Sequence, residues 1–197
     1  MSLRYALLAL LRVGPLSGYE LAKQFTQSVG HVWHAPDSQI YPELRKMEAA
    51  GLVEAEEQTR GERGTRRMYH VTDAGDRAFL DWMASPLEYQ RVRDPAHLRA
   101  AYLESASPEA ARAFLRHHIE QWEGELEQWE GELRKIDHVD PPNPMLERRL
   151  KATPVEDHER IVAFKHFAYE GLVDRAKGEI AWAQRGLALL DRLDAGH

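Results

Sequence analysis

A mainly α fold carrying one small β-hairpin is what this sequence predicts, in two parts. Three observations carry that reading. Apolar residues recur at helix spacing over most of the chain. The period switches to that of strands only around residues 52–71. Beyond residue 85 no strand signal returns. At 197 residues with 43% hydrophobic content, the chain can bury a core, and it has length for one ordinary domain or two small ones.

The elements follow in order. Leu3, Ala6, Leu7, Leu10 and Leu11 predict a helix over 3–12, stopped by Gly14-Pro15. Ser17 with Glu20 three residues on forms a capping-box pattern opening a second helix at Gly18, which continues through Leu21, Phe25 and Val29. A breaker-rich stretch covers 30–36. Asp37 or Ser38 then caps a third helix running through Ile40, Leu44 and Met47 to Gly51, with Pro42 tolerated near its first turn. Leu52–Glu56 and Arg67–Val71 read as two strands of a hairpin, joined by a turn-rich basic loop around Arg60–Gly64. Thr72 caps a fourth helix carrying Ala74, Ala78, Phe79 and Trp82.

Ser85-Pro86 and Asp94-Pro95 bracket a shift in composition, which sets the expected division at 1–84 and 85–197. A short helix is expected over Pro95–Glu104. Ser107-Pro108 opens a long one, with Leu115, Ile119, Trp122, Leu126, Trp129, Leu133 and Ile136 spaced as a coiled-coil heptad seam. Asp140–Pro144 breaks it, and a final helix is expected from Val155 to Leu193. A lone helical hairpin of this length leaves one face of each helix exposed, so the seams predict a homodimer about a two-fold axis.

Charge narrows the function. The net charge is −6, which excludes a basic protein that coats nucleic acid indiscriminately. Residues 1–84 hold 10 basic and 11 acidic residues, whereas the remainder holds 16 and 21. The acidic excess therefore sits in the helical C-terminal part. There are no cysteines, so disulfides, thiolate metal sites and cysteine nucleophiles are excluded, and a reducing cytoplasm fits. No apolar run reaches the roughly 18 residues that span a bilayer. His31 with His34 and His117 with His118 form no metal-ligand pattern, and neither a cofactor-binding glycine loop nor a nucleophile elbow is present. An enzyme reading has no residue cluster behind it.

The order helix–helix–helix–strand–basic loop–strand is that of a winged helix-turn-helix. A helix fits the DNA major groove, and a cationic hairpin reaches phosphates beside it. Arg60, Arg63, Arg66 and Arg67 crowd eight positions at the expected loop, with Glu62 among them. Ser38–Leu44 with Met47–Val53, the preceding Gly18–Leu21 and the later Tyr69–Gly75 resemble the PadR-type transcriptional regulators. The resemblance is close over about 84 residues and looser beyond. It implies double-stranded DNA as partner, a repressor as the usual mode of action, and a helical C-terminal domain for dimerisation. It also implies Ser38, Gln39 and Tyr41 as DNA contacts.

The chemistry of those side chains agrees. Gln39 can bond an adenine edge bidentately, while Ser38 and the Tyr41 hydroxyl can bond phosphate. Lys46 and Arg45 add positive charge, although Arg45 can instead pair with Glu48. Ile40, Leu44 and Met47 belong to the core, packing on Leu7, Leu21 and Phe25. Glu43 and Asp37 would repel phosphate unless turned away. Replacing Arg66 or Arg67 is expected to shrink the salt dependence of DNA binding. Trp122, Trp129, Phe164, Phe167 and Trp182 are numerous enough to line a pocket for a small aromatic effector, against the alternative of plain core. A winged-helix module that binds protein rather than DNA is the rival reading.

Overall fold

A computed structural model of the chain describes residues 2–26, 36–59, 65–89, 93–137 and 143–195. These divide into two compact units, Met1–Glu88 and Tyr89–His197. The first contains α1 (Ser2–Leu11), β1 (Leu16–Ser17), α2 (Gly18–Gln24), α3 (Asp37–Ala49), β2 (Val53–Thr59), β3 (Thr65–Val71) and α4 (Asp73–Ala84).

Its core is built by the periodicity of the helices. Leu7, Leu8 and Leu11 of α1, Leu21 of α2, and Ile40, Leu44 and Met47 of α3 are all buried, together with Phe25 and Val53. Fully burying each such side chain contributes about 1.5–3 kcal/mol. The helix ends follow local chemistry. Ser17 and Glu20 complete the expected capping box on α2. Gly51, at φ +67°, ends α3 in a Schellman motif, with Leu52 N–H donating to the Met47 carbonyl and Gly51 N–H to that of Glu48. Thr72 caps α4 by accepting from Gly75 N–H at 3.1 Å.

Four details differ from expectation. The N-cap of α3 is Pro36, and no side chain caps that end. Pro42 is the sixth residue of α3, in its second turn, so its missing amide leaves one backbone bond unmade there. The sheet has three antiparallel strands in the order β1-β3-β2, because Leu16 and Ser17 pair with Tyr69 and Met68. The β2–β3 ladder is also longer than the hydrophobic alternation indicates. It runs to Thr59↔Thr65 and adds Arg66 to the strand that carries Arg67, placing the two opposite Gln58 and Glu57.

The second unit contains α5 (Pro95–Ala100), a 3₁₀ turn (Leu103–Ser105), α6 (Pro108–Asp137), α7 (Pro144–Lys151), a second 3₁₀ turn (Val155–Asp157) and α8 (His158–Ala195). Helices α6 and α8 pack along each other. Trp129 and Ile136 of the heptad seam meet Ile161, Tyr169, Val173 and Ala176 of α8. Helix α7 is an addition to the expected pair. Asn143 caps it by accepting from the amides of Met145 and Leu146, and donates its own side-chain N–H to Glu132 at 3.0 Å. Glu132 is thereby buried with partners, Lys135 being the second at 2.7 Å. Burial pushes the nearby Tyr169 hydroxyl up to about 12, with the Glu132 charge adding to the effect. Burial likewise lowers the Lys165 ammonium from its ordinary value, against the pull of Glu132.

Candidate nucleic-acid interface

The buried residues Ile40, Leu44 and Met47 fix which way α3 turns. At roughly 100° per residue, the outward face carries Ser38 and Arg45, flanked by Gln39 and Lys46 on one edge and Tyr41 on the other. Ser38, Gln39, Arg45 and Lys46 are exposed, and Tyr41 is 42% exposed. With Pro42 and Ala49 between them, these hydrogen-bonding and cationic groups share one side of the helix. The acids are turned aside. Glu43 bonds Arg4 of α1 at 3.0 Å. Glu48 is taken by Arg67 of β3 at 2.5 Å, so Arg45 does not compete for it. The side chain of Asp37 lies outside the described residues.

The cations of the wing are treated differently from one another. Arg60 and Arg63 lie outside the described residues. Arg66 donates to Ser17 Oγ at 2.8 Å and pairs with Glu20, so it ties β3 to the capped end of α2. Burial pushes the Glu20 carboxyl up, but hydrogen bonds from the Ser17 amide, Arg66 and the Ser17 hydroxyl outweigh it. The net position is below the ordinary value of 4.5. Arg67 lies over the Tyr69 ring at 5.7 Å and is half exposed even while paired with Glu48. An exposed pair of this kind contributes about 0.2–1 kcal/mol, which a phosphate can replace.

The five aromatic residues expected to line an effector pocket are not brought together within one chain. Trp129 is buried, its ring 6.3 Å from that of Trp122. Trp182 stacks on His97 at 4.3 Å and meets the edge of His118 at 5.2 Å. Phe164 and Phe167 are 62% and 69% exposed. The reason is helical phase. On α8 they fall away from the face that Ile161, Tyr169, Val173 and Ala176 bury. The buried indole N–H of Trp129 has no hydrogen-bond partner among the described residues.

Residues 7–81 match the transcriptional regulator PadR-like family, and residues 92–191 match the C-terminal domain called virulence activator alpha. Residues 7–81 are thus a PadR-like family domain. It is 27% identical over 192 residues to the negative transcriptional regulator PadR of Bacillus subtilis, covering 96% of this chain and 98% of that one. The crystal structure of that protein with operator DNA superposes with a TM-score of 0.76 at 27% identity, covering 95% of this chain and 97% of that one. Its complex with p-coumaric acid gives a TM-score of 0.72 at 27% identity, over 96% and 95% of the two chains.

Proposed function

We propose that this regulator represses transcription by binding a pseudopalindromic operator as a homodimer, with residues 1–84 reading DNA and 85–197 forming the dimer. The observation that carries the reading is the outward strip of α3. It places Gln39 and Tyr41 with Ser38, Arg45 and Lys46 on one exposed face, with every described acid of that helix paired elsewhere or off that strip. Gln39 reads a base edge, Ser38 and Tyr41 bond phosphate, and Lys46 with Arg45 supplies charge. Arg60, Arg63 and Arg67 extend the cationic contact along the wing, while Arg66 holds the wing in place. The full-length likeness to a PadR solved on operator DNA supports this assignment.

A second copy is supported by the apolar residues that α8 leaves exposed, Phe164, Phe167, Leu189 and Leu193. A small aromatic effector is supported by the relative's complex with p-coumaric acid. In this chain such a ligand would lie among Trp122, Trp129, Phe164, Phe167 and Trp182 only where a second copy brings the two phenylalanines under cover. Its binding would change the spacing of the two reading heads and release DNA. No described helix is long and apolar enough to cross a membrane, and action on DNA in the cytoplasm follows from the reading. The relatives are regulators, which favours a regulator over an enzyme here.

Footprinting on the promoter upstream of the protein's own gene tests the proposal. A dimer docking two α3 helices protects two half-sites centred about one helical turn apart, roughly 34 Å. Protection of a single site, or uniform protection of any sequence, contradicts it.

A further inference from the structure

We propose that the first turn of α2 is a positioning platform for the DNA-reading groups, in which Gly18 seats the Tyr41 ring while Ser17 and Glu20 hold Arg66 of the wing. The inference rests on the operator-binding reading and adds positioning residues that touch no DNA themselves.

Gly18 is buried at the head of α2. A Cβ added there would fall 2.6 Å from Tyr41 Cε1, 3.3 Å from Cδ1 and 3.5 Å from Cζ. The three nearest atoms thus belong to a single ring, and no side chain larger than hydrogen fits without moving it. The backbone of Gly18 is not in the left-handed region. Conformation does not demand glycine there, and alanine would favour the helix. The ring is what excludes it.

The same turn is fixed from two other directions. Leu16 and Ser17 pair with Tyr69 and Met68, which locks the turn to the sheet. Ser17 Oγ accepts from Glu20 N–H, and Ser17 N–H donates to Glu20 Oε2 at 3.0 Å. Arg66 closes the group by donating to Ser17 Oγ at 2.8 Å and pairing with Glu20. One four-residue turn therefore sets both the attitude of the recognition-helix tyrosine and the seat of the wing strand. A shift in either is passed to the other through buried Ser17 and Gly18 and the Ser17–Glu20–Arg66 bonds, so the platform fixes the distance between a phosphate held by Tyr41 and the cations of β3.

The test uses the full chain and the promoter fragment upstream of its own gene, with a scrambled fragment of equal length. Gly18→Ala, Tyr41→Ala and the double variant are compared for affinity to both DNAs and for melting temperature. Gly18→Ala alone is expected to weaken operator binding about tenfold and binding to scrambled DNA by a similar factor, since the phosphate contact of Tyr41 carries no sequence information. Added to Tyr41→Ala, it is expected to change operator binding less than about twofold and to raise the melting temperature, since the helix then gains alanine without a clash. Operator binding by Gly18→Ala equal to the wild type overturns the proposal. So does an equal loss from Gly18→Ala in both backgrounds. Should Gly18→Ala not fold, the double variant must fold as well as Tyr41→Ala, and its failure also overturns the proposal. Absence of any sequence preference in the wild type refutes the operator reading instead. The melting shifts of Gly18→Ala, a fall in the wild-type background and a rise in the Tyr41→Ala background, still decide the platform.

Discussion

Replacing Gly75 with alanine tests how tightly the winged unit is assembled. Gly75 lies in the first turn of α4, where a Cβ would fall 2.0 Å from the Leu52 carbonyl oxygen and 3.0 Å from Val71 Cγ2. That oxygen already accepts from Thr72 N–H at 3.2 Å, and Thr72 Oγ1 donates to the Gly51 carbonyl at 2.7 Å. Ordinary contact begins at 3.4 Å, so α4 and the α3–β2 turn must separate by about 1.4 Å. The obstacle is backbone, so it cannot swing aside. Overpacking of this kind costs about 1–3 kcal/mol, and disturbing the Thr72 cap adds about 1 kcal/mol. The helical preference for alanine returns about 1 kcal/mol at most. The net loss is about 1–3 kcal/mol, a fall in melting temperature of about 5–20 °C for a unit of this size. Urea and thermal denaturation of the full chain, followed by circular dichroism, read it directly. A Gly75→Ala variant as stable as the wild type would refute the close approach and the reasoning built on it.

The remaining expectations concern the wing, its cap and the second unit. Arg67→Ala is expected to reduce the slope of log affinity against log salt by about one. Arg66→Ala is expected to leave that slope nearly unchanged and to cost about 0.5–1 kcal/mol of stability, because its guanidinium is bound to Ser17 and Glu20. Salt-titrated fluorescence anisotropy separates the two, and equal slopes for both variants would contradict the split. The native Glu20 carboxyl lies below its ordinary value, so its contribution is fully present above about pH 4.5 and is lost as pH falls through the native value. The stability gap between wild type and Glu20→Gln should therefore close on acidification, and a gap that widens has the wrong sign. Asn143→Ala removes the α7 cap and strips a donor from buried Glu132. The expected loss is about 2–4 kcal/mol in urea denaturation. A loss under about 1 kcal/mol would mean Glu132 is solvated.

What was legible in the sequence was local. The Ser17–Glu20 capping box, the Thr72 cap and the Gly51 terminus are each set within four residues, and all three appear where the pattern placed them. The core of the winged unit was legible because Leu7, Leu21, Ile40, Leu44 and Met47 repeat at helix spacing. Strand β1 was not, because two residues carry no period. Helix α7 was hidden behind the proline-rich break that precedes it, although Asn143-Pro144 is a cap followed by proline at the first helical position. At the candidate interface, Ser38, Gln39 and Tyr41 follow from the resemblance to the PadR-type regulators together with their side-chain chemistry, and the fold leaves all three exposed on α3. The fates of Arg66 and Arg67 were not, because their partners Glu20 and Glu48 lie 46 and 19 positions away. Arg45 is ambiguous in the sequence for the same reason, since only the fold shows that Glu48 is already engaged. Phe164 and Phe167 looked like pocket residues because an aromatic on a long helix has no local signal for the face it occupies.

The most direct test of the central claim is the affinity of the full chain for its own promoter against a scrambled fragment, at matched salt, with Gln39→Ala measured beside it. Specific docking of α3 predicts at least about a thousandfold preference for the promoter. Gln39→Ala should then lose about 1–3 kcal/mol on the promoter and almost nothing on the scrambled DNA. Equal affinity of a folded, dimeric protein for both fragments, unmoved by Gln39→Ala, would contradict the claim.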